Sequence, residues 1–277
     1  MREVHIELNR DAYLAGQQVE GTVTVQTDEY FECEDFTVFV RGSERTRITV
    51  GSGDDRRTYR GSTKLVEHQL DINTVTRFGA GKTPINFSFT LPMGLPPTYK
   101  GTGAQIKYWI EAKAEISWAF DCDSQKEFWV FSPGARATTA ANSATAKHEG
   151  KPVLDLRLDE TSVPLGAGIP FQFRVHDGIE IRGVRAELVH CQNRKARSRS
   201  RRTVRVINQR EIPAEEIRWG RWVDWSIPTR RDFPPTFKTR LITSWYFVRL
   251  TLDRPWRFDK SASVTVVPYF DPTKSSS

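Results

Sequence analysis

The stretch LPMGLPPTYKGTGAQIKYWIEAKAEI, residues 91–116, decides the fold. Two adjacent prolines, Pro96 and Pro97, fix the backbone of a turn and stiffen it. From Ile106 onward apolar side chains recur at every second position, which is the period of a β-strand with one buried face. The segment therefore predicts a rigid turn that delivers a long strand into a sheet.

A second copy of this arrangement occurs in IPTRRDFPPTFKTRLITSWYFVRLTLD, residues 227–253. Its Pro234 and Pro235 correspond to the first proline pair, and an aromatic-rich strand again follows. The openings of the two halves also match, because Leu14-Ala15-Gly16 and Pro164-Leu165-Gly166 both precede an alternating run. Duplication of one structural unit is the simplest interpretation.

The rest of the chain supports two β-sandwich domains. A length of 277 residues suits two domains, both halves contain strand-like runs at regular spacing, and helix signals are nearly absent. We predict an all-β protein of two tandem immunoglobulin-like sandwiches, with boundaries assigned where the sequence becomes small and polar. The predicted parts are a first domain at 1–134, a linker at 135–151, a second domain at 152–268 and a flexible tail at 269–277.

These motifs resemble the arrestin-like superfamily, which includes arrestins, α-arrestins, the arrestin-fold subunit of retromer and prokaryotic sporulation-control proteins. The positions that carry the resemblance are Tyr13, Gly16, Val19, Gly21, Val23, Phe87, Phe89, Leu91, Pro92, Leu95, Pro96, Pro97, Thr98, Tyr99, Gly101, Ile106, Tyr108, Ile110 and Ala112. The resemblance implies two arrestin-like sandwiches and a non-enzymatic adaptor or scaffold that binds partner proteins, as in protein transport. The buried charged cluster of the receptor-binding arrestins cannot be placed on residues of this sequence. We therefore do not infer that this protein senses receptor phosphates.

Within the motif we predict architectural roles. Gly16 and Gly21 permit a tight turn and a bulge at the start of a strand. The remaining members of this structural set shape the turn and the strand after it. They are Pro92, Pro96, Pro97, Tyr99 and Tyr108.

Net charge is unevenly distributed. Residues 1–147 hold 17 Lys and Arg against 19 Asp and Glu, whereas residues 148–277 hold 24 against 15. Much of this excess lies in QNRKARSRSRRTVRVINQR, residues 192–210, which has eight basic residues and no acidic one. We predict an exposed hairpin loop at 193–202 that presents its cations to an anionic partner. The candidate residues are Arg194, Lys195, Arg197, Arg199, Arg201, Arg202 and Arg205.

Several partners suit such a loop. An acidic phospholipid surface attracts clustered basic residues, and arginine binds phosphate groups through two parallel hydrogen bonds. Nucleic acid is the alternative, with aromatic faces supplied by the segment Arg218–Trp225. A solvated loop without a ligand is the plainest interpretation.

A second candidate surface is the polar stretch Gly51–Lys64. The arrestin resemblance implies that a loop near this position meets the partner, which makes Arg56, Arg57, Tyr59 and Arg60 contact candidates. A hairpin tip without function is the alternative.

Other classes of function lack support in the sequence. Its histidines are dispersed, its three cysteines lack metal or redox spacing, and no nucleotide-binding or hydrolase motif occurs. We therefore expect no catalytic site, no cofactor and no metal. No signal peptide and no long apolar run occur, so we expect a cytoplasmic protein with peripheral attachment to membranes.

Overall fold

The computed structural model describes residues 2–72, 76–116, 122–132, 142–255 and 259–271. They group into two compact units. The first comprises Met1–Ser132, Arg194–Ser200 and Thr239–Leu241, and the second comprises Pro133–Asn193, Arg201–Lys238 and Ile242–Ser277.

Regular structure in the described residues is almost entirely β, which confirms the predicted fold class. The helical turns in these ranges are two short 3₁₀ helices, Gly53–Asp55 and Ala214–Glu216. No helix in the described part of the chain has the length and apolar character needed to cross a membrane.

The described residues before the chain midpoint form eleven strands. They are β1 (Arg2–Leu8), β2 (Ala12–Leu14), β3 (Gln18–Thr27), β4 (Phe31–Glu32), β5 (Asp35–Val50), β6 (Arg57–Gln69), β7 (Arg77–Phe78), β8 (Gly81–Thr90), β9 (Tyr99–Gly101), β10 (Ala104–Glu115) and β11 (Cys122–Phe131). One sheet has the order β1-β3-β8, and a second has the order β2-β11-β10-β5-β6 with β9 beside β10. Apolar side chains that alternate along the central strand β10 are buried between these two sheets.

Ten strands follow in the second half. They are β12 (Asn142–His148), β13 (Lys151–Leu158), β14 (Ser162–Pro164), β15 (Gly168–Val175), β16 (Gly183–Ala196), β17 (Arg199–Pro213), β18 (Val223–Pro228), β19 (Phe237–Lys238), β20 (Ile242–Asp253) and β21 (Lys260–Tyr269). The sheets are β12-β13-β15-β18 and β14-β21-β20-β16-β17, with β19 beside β20. Their inner faces enclose one apolar core.

The two halves repeat the same connections. In each, a short strand that follows the opening pairs in parallel with the last long strand, β2 with β11 and β14 with β21. The turn glycine after that short strand has the same left-handed backbone in both copies, with φ of 88° at Gly16 and 89° at Gly166. The two halves therefore share the same strand connections, as the duplication in the sequence predicts.

Each proline pair is tied to its long strand by a buried tyrosine. The Tyr108 hydroxyl donates to the Pro96 carbonyl at 2.7 Å, and the Tyr246 hydroxyl donates to the Pro234 carbonyl at 2.6 Å. Both tyrosine side chains are fully buried. Burial raises the pKa of Tyr108 far above its usual value, so the phenol remains protonated and able to donate.

Gly21 has a different role from the predicted one. The register of β3 against β1 and β8 passes through Gly21 without a shift, so no bulge forms there. A Cβ at this position would lie 2.4 Å from the Glu7 carbonyl oxygen and 2.7 Å from the Phe87 ring. Glycine is required because backbone and ring approach closely.

The linker predicted at 135–151 is wrong over Asn142–His148, which form strand β12. This strand pairs with β13 along its whole length. Only Ala144 and Ala146 face the core. Because alanine is weakly hydrophobic, these two residues do not give the alternation of apolar and polar residues that predicts a strand. Residues 133–141 lie outside the described residues.

Replacing either buried tyrosine with phenylalanine tests the role of the hydrogen bond. Tyr108→Phe and Tyr246→Phe each leave a carbonyl of the proline pair without its donor, so we expect each to lower the free energy of unfolding by about 1–2 kcal/mol. Denaturant unfolding measures this loss. Tyr30→Phe is the control because the Tyr30 side chain is 60% exposed, and a loss of equal size there would contradict the assignment.

Candidate functional site

The basic run lies in a β-hairpin whose loop is much shorter than predicted. Strand β16 continues to Ala196 and β17 begins at Arg199, so only Arg197 and Ser198 lie outside the strands. Arg197 adopts the left-handed backbone with φ of 53°, as tight hairpin turns require. Most of the predicted loop residues are consequently strand residues, with their side chains on alternating faces.

Arg194 was predicted as an exposed ligand-binding residue, and this is wrong. Its residue exposure is 5%, and its Nε donates to the Arg47 carbonyl at 3.1 Å within the first unit. A guanidinium can be buried at low cost when its donors find acceptors. Arg194 is therefore part of the scaffold.

The other basic residues of the set are exposed. This applies to Lys195, Arg197, Arg199, Arg201, Arg202 and Arg205. Two arginines stack on aromatic rings: Arg199 lies 5.5 Å from the centre of the Tyr59 ring, and Arg202 lies 5.1 Å from that of Trp245. The stacking orients these guanidinium groups.

Strand β17 is the last strand of its sheet and is unusually open. Its 15 residues pair with β16 on one side, and no described strand pairs with the other side. Nearly every residue is at least partly exposed, including Val204 at 48% and Val206 at 43%. The single acidic residue on it is Glu211. Strand β17 therefore presents a long, open backbone edge with a strong positive charge.

The polar stretch Gly51–Lys64, predicted as a long loop, is mostly strand. Strands β5 and β6 form an extended hairpin that turns at the 3₁₀ helix Gly53–Asp55. Arg57, Tyr59 and Arg60 lie on β6, and only Arg56 belongs to the turn. The register pairs Arg60 with Arg47 and Tyr59 with Ile48.

A basic cavity in the first unit escaped the sequence analysis. It has a volume of about 640 Å³ and lies where β6, β5, β10 and β9 run side by side. Its cations are Arg45, Arg47, Arg60 and Lys100. Only Arg60 was among the predicted contacts, because the four cations come from three strands, β5, β6 and β9, and no local cluster in the sequence marks them.

The Ser244–His190 contact has the atoms of a nucleophile and a base but not the setting of one. His190 Nε2 lies 2.9 Å from Ser244 Oγ, and its ring stacks on Tyr246 with a centroid distance of 4.7 Å. Burial, together with the charge of Arg205, lowers the pKa of His190 to about 4. Because Ser244 is fully buried and also donates to the Pro235 carbonyl, a substrate has no route to its oxygen. The pair supports the proline turn.

Asp155 is the centre of a second polar cluster in the second unit. Burial opposes its ionisation, but hydrogen bonds from Thr145, Arg174 and His176 outweigh that effect and lower its pKa. Every one of these polar groups already has a partner inside the cluster. The arrangement therefore stabilises the sheet rather than presenting a reactive group.

The part of the chain that the structure describes contains neither a metal site nor a disulfide. No group of three or more His, Cys, Asp or Glu residues there could hold a metal ion. Among the described residues, Cys33, Cys122 and Cys191 are not joined in disulfides.

The fold defines a class: proteins built from two β-sandwich units of the same topology, each with a proline-pair turn held by a buried tyrosine. Residues 3–135 match the family model of the arrestin (or S-antigen) N-terminal domain. This match confirms, over the first half of the chain, the arrestin-like resemblance inferred from the motif residues.

A curated relative shows the same similarity. Arrestin domain-containing protein 17 of Caenorhabditis elegans is 31% identical over 132 residues, a stretch that covers 43% of this chain and 31% of that protein. The chain thus matches less than a third of its relative's length.

Truncating Arg194 tests its scaffold role. Arg194→Ala removes a buried donor and leaves the Arg47 carbonyl without it, so we expect the free energy of unfolding to fall by about 2 kcal/mol. Lys195→Ala is the control, because the Lys195 side chain is exposed while its backbone bonds remain. If both variants unfolded at the wild-type denaturant concentration, the scaffold role of Arg194 would be refuted.

Proposed function

We propose that this protein is a non-enzymatic cytoplasmic adaptor that binds an extended, acidic segment of a partner protein along the edge strand β17. The arrestin-like assignment supports an adaptor role. The observation that carries the proposal is the open, positively charged edge of β17.

An open strand edge offers a row of backbone donors and acceptors to any extended chain. An incoming strand would satisfy them with main-chain hydrogen bonds, which demand little of its sequence. The length of β17 provides room for a long pairing. Affinity would therefore come from the backbone and selectivity from side chains on the two faces.

The charge of β17 determines which strands can be added. Open edges promote aggregation, and like charges on them prevent two copies of the same edge from pairing. Arg201, Arg202, Arg205 and Arg210 have this protective effect. The same charges attract an acidic strand. They therefore both prevent self-association and select the partner.

Side-chain alternation refines the partner's pattern. Arg202, Val204 and Val206 are spaced two apart and share one face, whereas Arg201 and Arg205 share the other. A segment with alternating acidic and apolar residues would place its carboxylates against Arg201 and Arg205. Its apolar side chains would cover the exposed valines.

The same arginines support a peripheral attachment to anionic membranes. Each basic residue near such a surface contributes roughly 1 kcal/mol, which gives reversible rather than permanent association. Membrane contact and strand addition use the same side chains, so the two are expected to compete.

Nucleic acid is the weaker alternative because two of the three tryptophan rings in the segment Arg218–Trp225 already contact arginines, and only Trp219 is an exposed large hydrophobic residue, at 40%. Arg157 and Arg174 lie 4.2 Å and 4.9 Å from the centre of the Trp222 ring, and Arg210 lies 5.9 Å from that of Trp225. Base stacking would have to displace these contacts.

A binding experiment with designed peptides tests the proposal. We expect a labelled peptide of alternating glutamate and valine to bind the wild-type protein in fluorescence anisotropy, more weakly at high salt. Arg201→Glu/Arg205→Glu should reduce its affinity by at least about tenfold, because attraction becomes repulsion. A peptide of alternating lysine and valine should not bind.

Controls separate a specific edge from general positive charge. Arg218→Glu/Arg221→Glu makes the same charge change on exposed residues of the second unit outside β17, and should preserve binding. Equal loss in both double variants would contradict the proposal. Binding of phosphatidylserine vesicles or RNA without any binding of the acidic peptide would replace it with one of the alternatives.

A further inference from the structure

One face of the first unit's larger sheet carries a row of polar residues that are direct cross-strand neighbours. Ser62 on β6 pairs with Arg45 on β5, Arg45 pairs with Gln105 on β10, and Gln105 pairs with Lys100 on β9. The next row contains Arg47 directly opposite Arg60. These two rows form the wall of the 640 Å³ cavity.

Farther along the same sheet, cations are neutralised by acidic partners. Arg41 pairs with Glu111 at 3.0 Å and with Glu67 at 3.7 Å, and Lys64 also pairs with Glu67. This part of the sheet therefore carries balanced charge and needs no ligand.

The cavity shows the opposite pattern. Arg45, Arg47, Arg60 and Lys100 form no ion pair and no side-chain hydrogen bond with any described residue, and no acidic side chain lines the cavity. Like charges placed directly opposite each other across a strand pair destabilise it, as Arg47 and Arg60 must. Four uncompensated cations around one concave space are a cost to the empty protein that a bound anion would remove.

The structure also fixes the cavity wall. The Arg47 N–H donates to the Gly103 carbonyl at 2.8 Å, while the Arg47 carbonyl accepts from Arg194 Nε at 3.1 Å. The backbone that carries Arg47 is thus held on both sides, which fixes the point from which its side chain extends. A fixed backbone reduces the conformational entropy that is lost on binding a ligand.

We propose that this cavity is a binding site for a small anion with several phosphate groups, such as an inositol polyphosphate, either free or as the headgroup of a lipid. Arginine forks match phosphate oxygens in pairs, and the volume falls within the range of small-molecule sites. The site is separate from β17 and does not depend on the proposed adaptor function.

Other ligand classes fit the cavity less well. No aromatic side chain lines it, so nothing is available to stack on a nucleobase. A single carboxylate would neutralise one of four cations. Apolar ligands would cover the four cations without offering them an acceptor.

Calorimetry with defined anions tests the proposal. We expect inositol hexakisphosphate and inorganic tripolyphosphate to bind the wild-type protein, with inorganic sulfate much weaker. Arg47→Gln/Arg60→Gln should weaken binding by at least about tenfold, since each arginine contributes charge-assisted hydrogen bonds. Flotation with phosphatidylcholine vesicles that contain phosphatidylinositol bisphosphate identifies a lipid as the source of the phosphates if those vesicles bind and the free anions do not.

Two variants distinguish a loss of anion binding from a loss of folding. Because Arg47→Gln/Arg60→Gln relieves repulsion, it should melt no lower than wild type without anion, so its loss of binding is not a folding defect. Lys64→Gln, on the same strand as Arg60 but already paired with Glu67, should bind like wild type. Absence of binding to every anion and to the vesicles, unchanged affinity in the double variant, or an equal loss in Lys64→Gln would each overturn the proposal.

Discussion

The hydrogen bond from a buried tyrosine to the carbonyl of a proline pair is the constraint on which both units depend. Tyr108 and Tyr246 lie on β10 and β20, each of which is flanked by neighbours within the larger sheet of its half. The prolines fix the turn, and the hydroxyl fixes the strand against that turn. Once the central strand is placed, the hairpins β5-β6 and β16-β17 extend from it to an open edge.

The two halves use this frame for different surfaces. In the first, the hairpin brings Arg45, Arg47 and Arg60 around a concave space that also receives Lys100. In the second, the hairpin ends in a long cationic edge. The frame is thus the same in both halves, and the two proposed sites rest on the side chains that each outer hairpin carries.

Local sequence patterns predicted the frame because its determinants are local. The proline pair, the alternation of β10 and the paired motifs are each contained in one stretch of sequence. The sites depend on register and long-range contact. In the sequence Arg194 cannot be told apart from its exposed neighbours, and only the structure shows that its guanidinium donates to the Arg47 carbonyl. The cavity exists because β5, β6 and β9 bring Arg45, Arg47, Arg60 and Lys100 to one face of the sheet.

Amide hydrogen exchange along β17 tests the central claim, that its open edge is a binding surface. In the free protein, alternate amides between Arg201 and Ile212 should exchange rapidly, because they face away from β16. Addition of the glutamate–valine peptide should slow exchange at those amides and leave β6 unchanged. Slowing on β6 instead, or no change on β17 while the peptide is bound, would contradict the account.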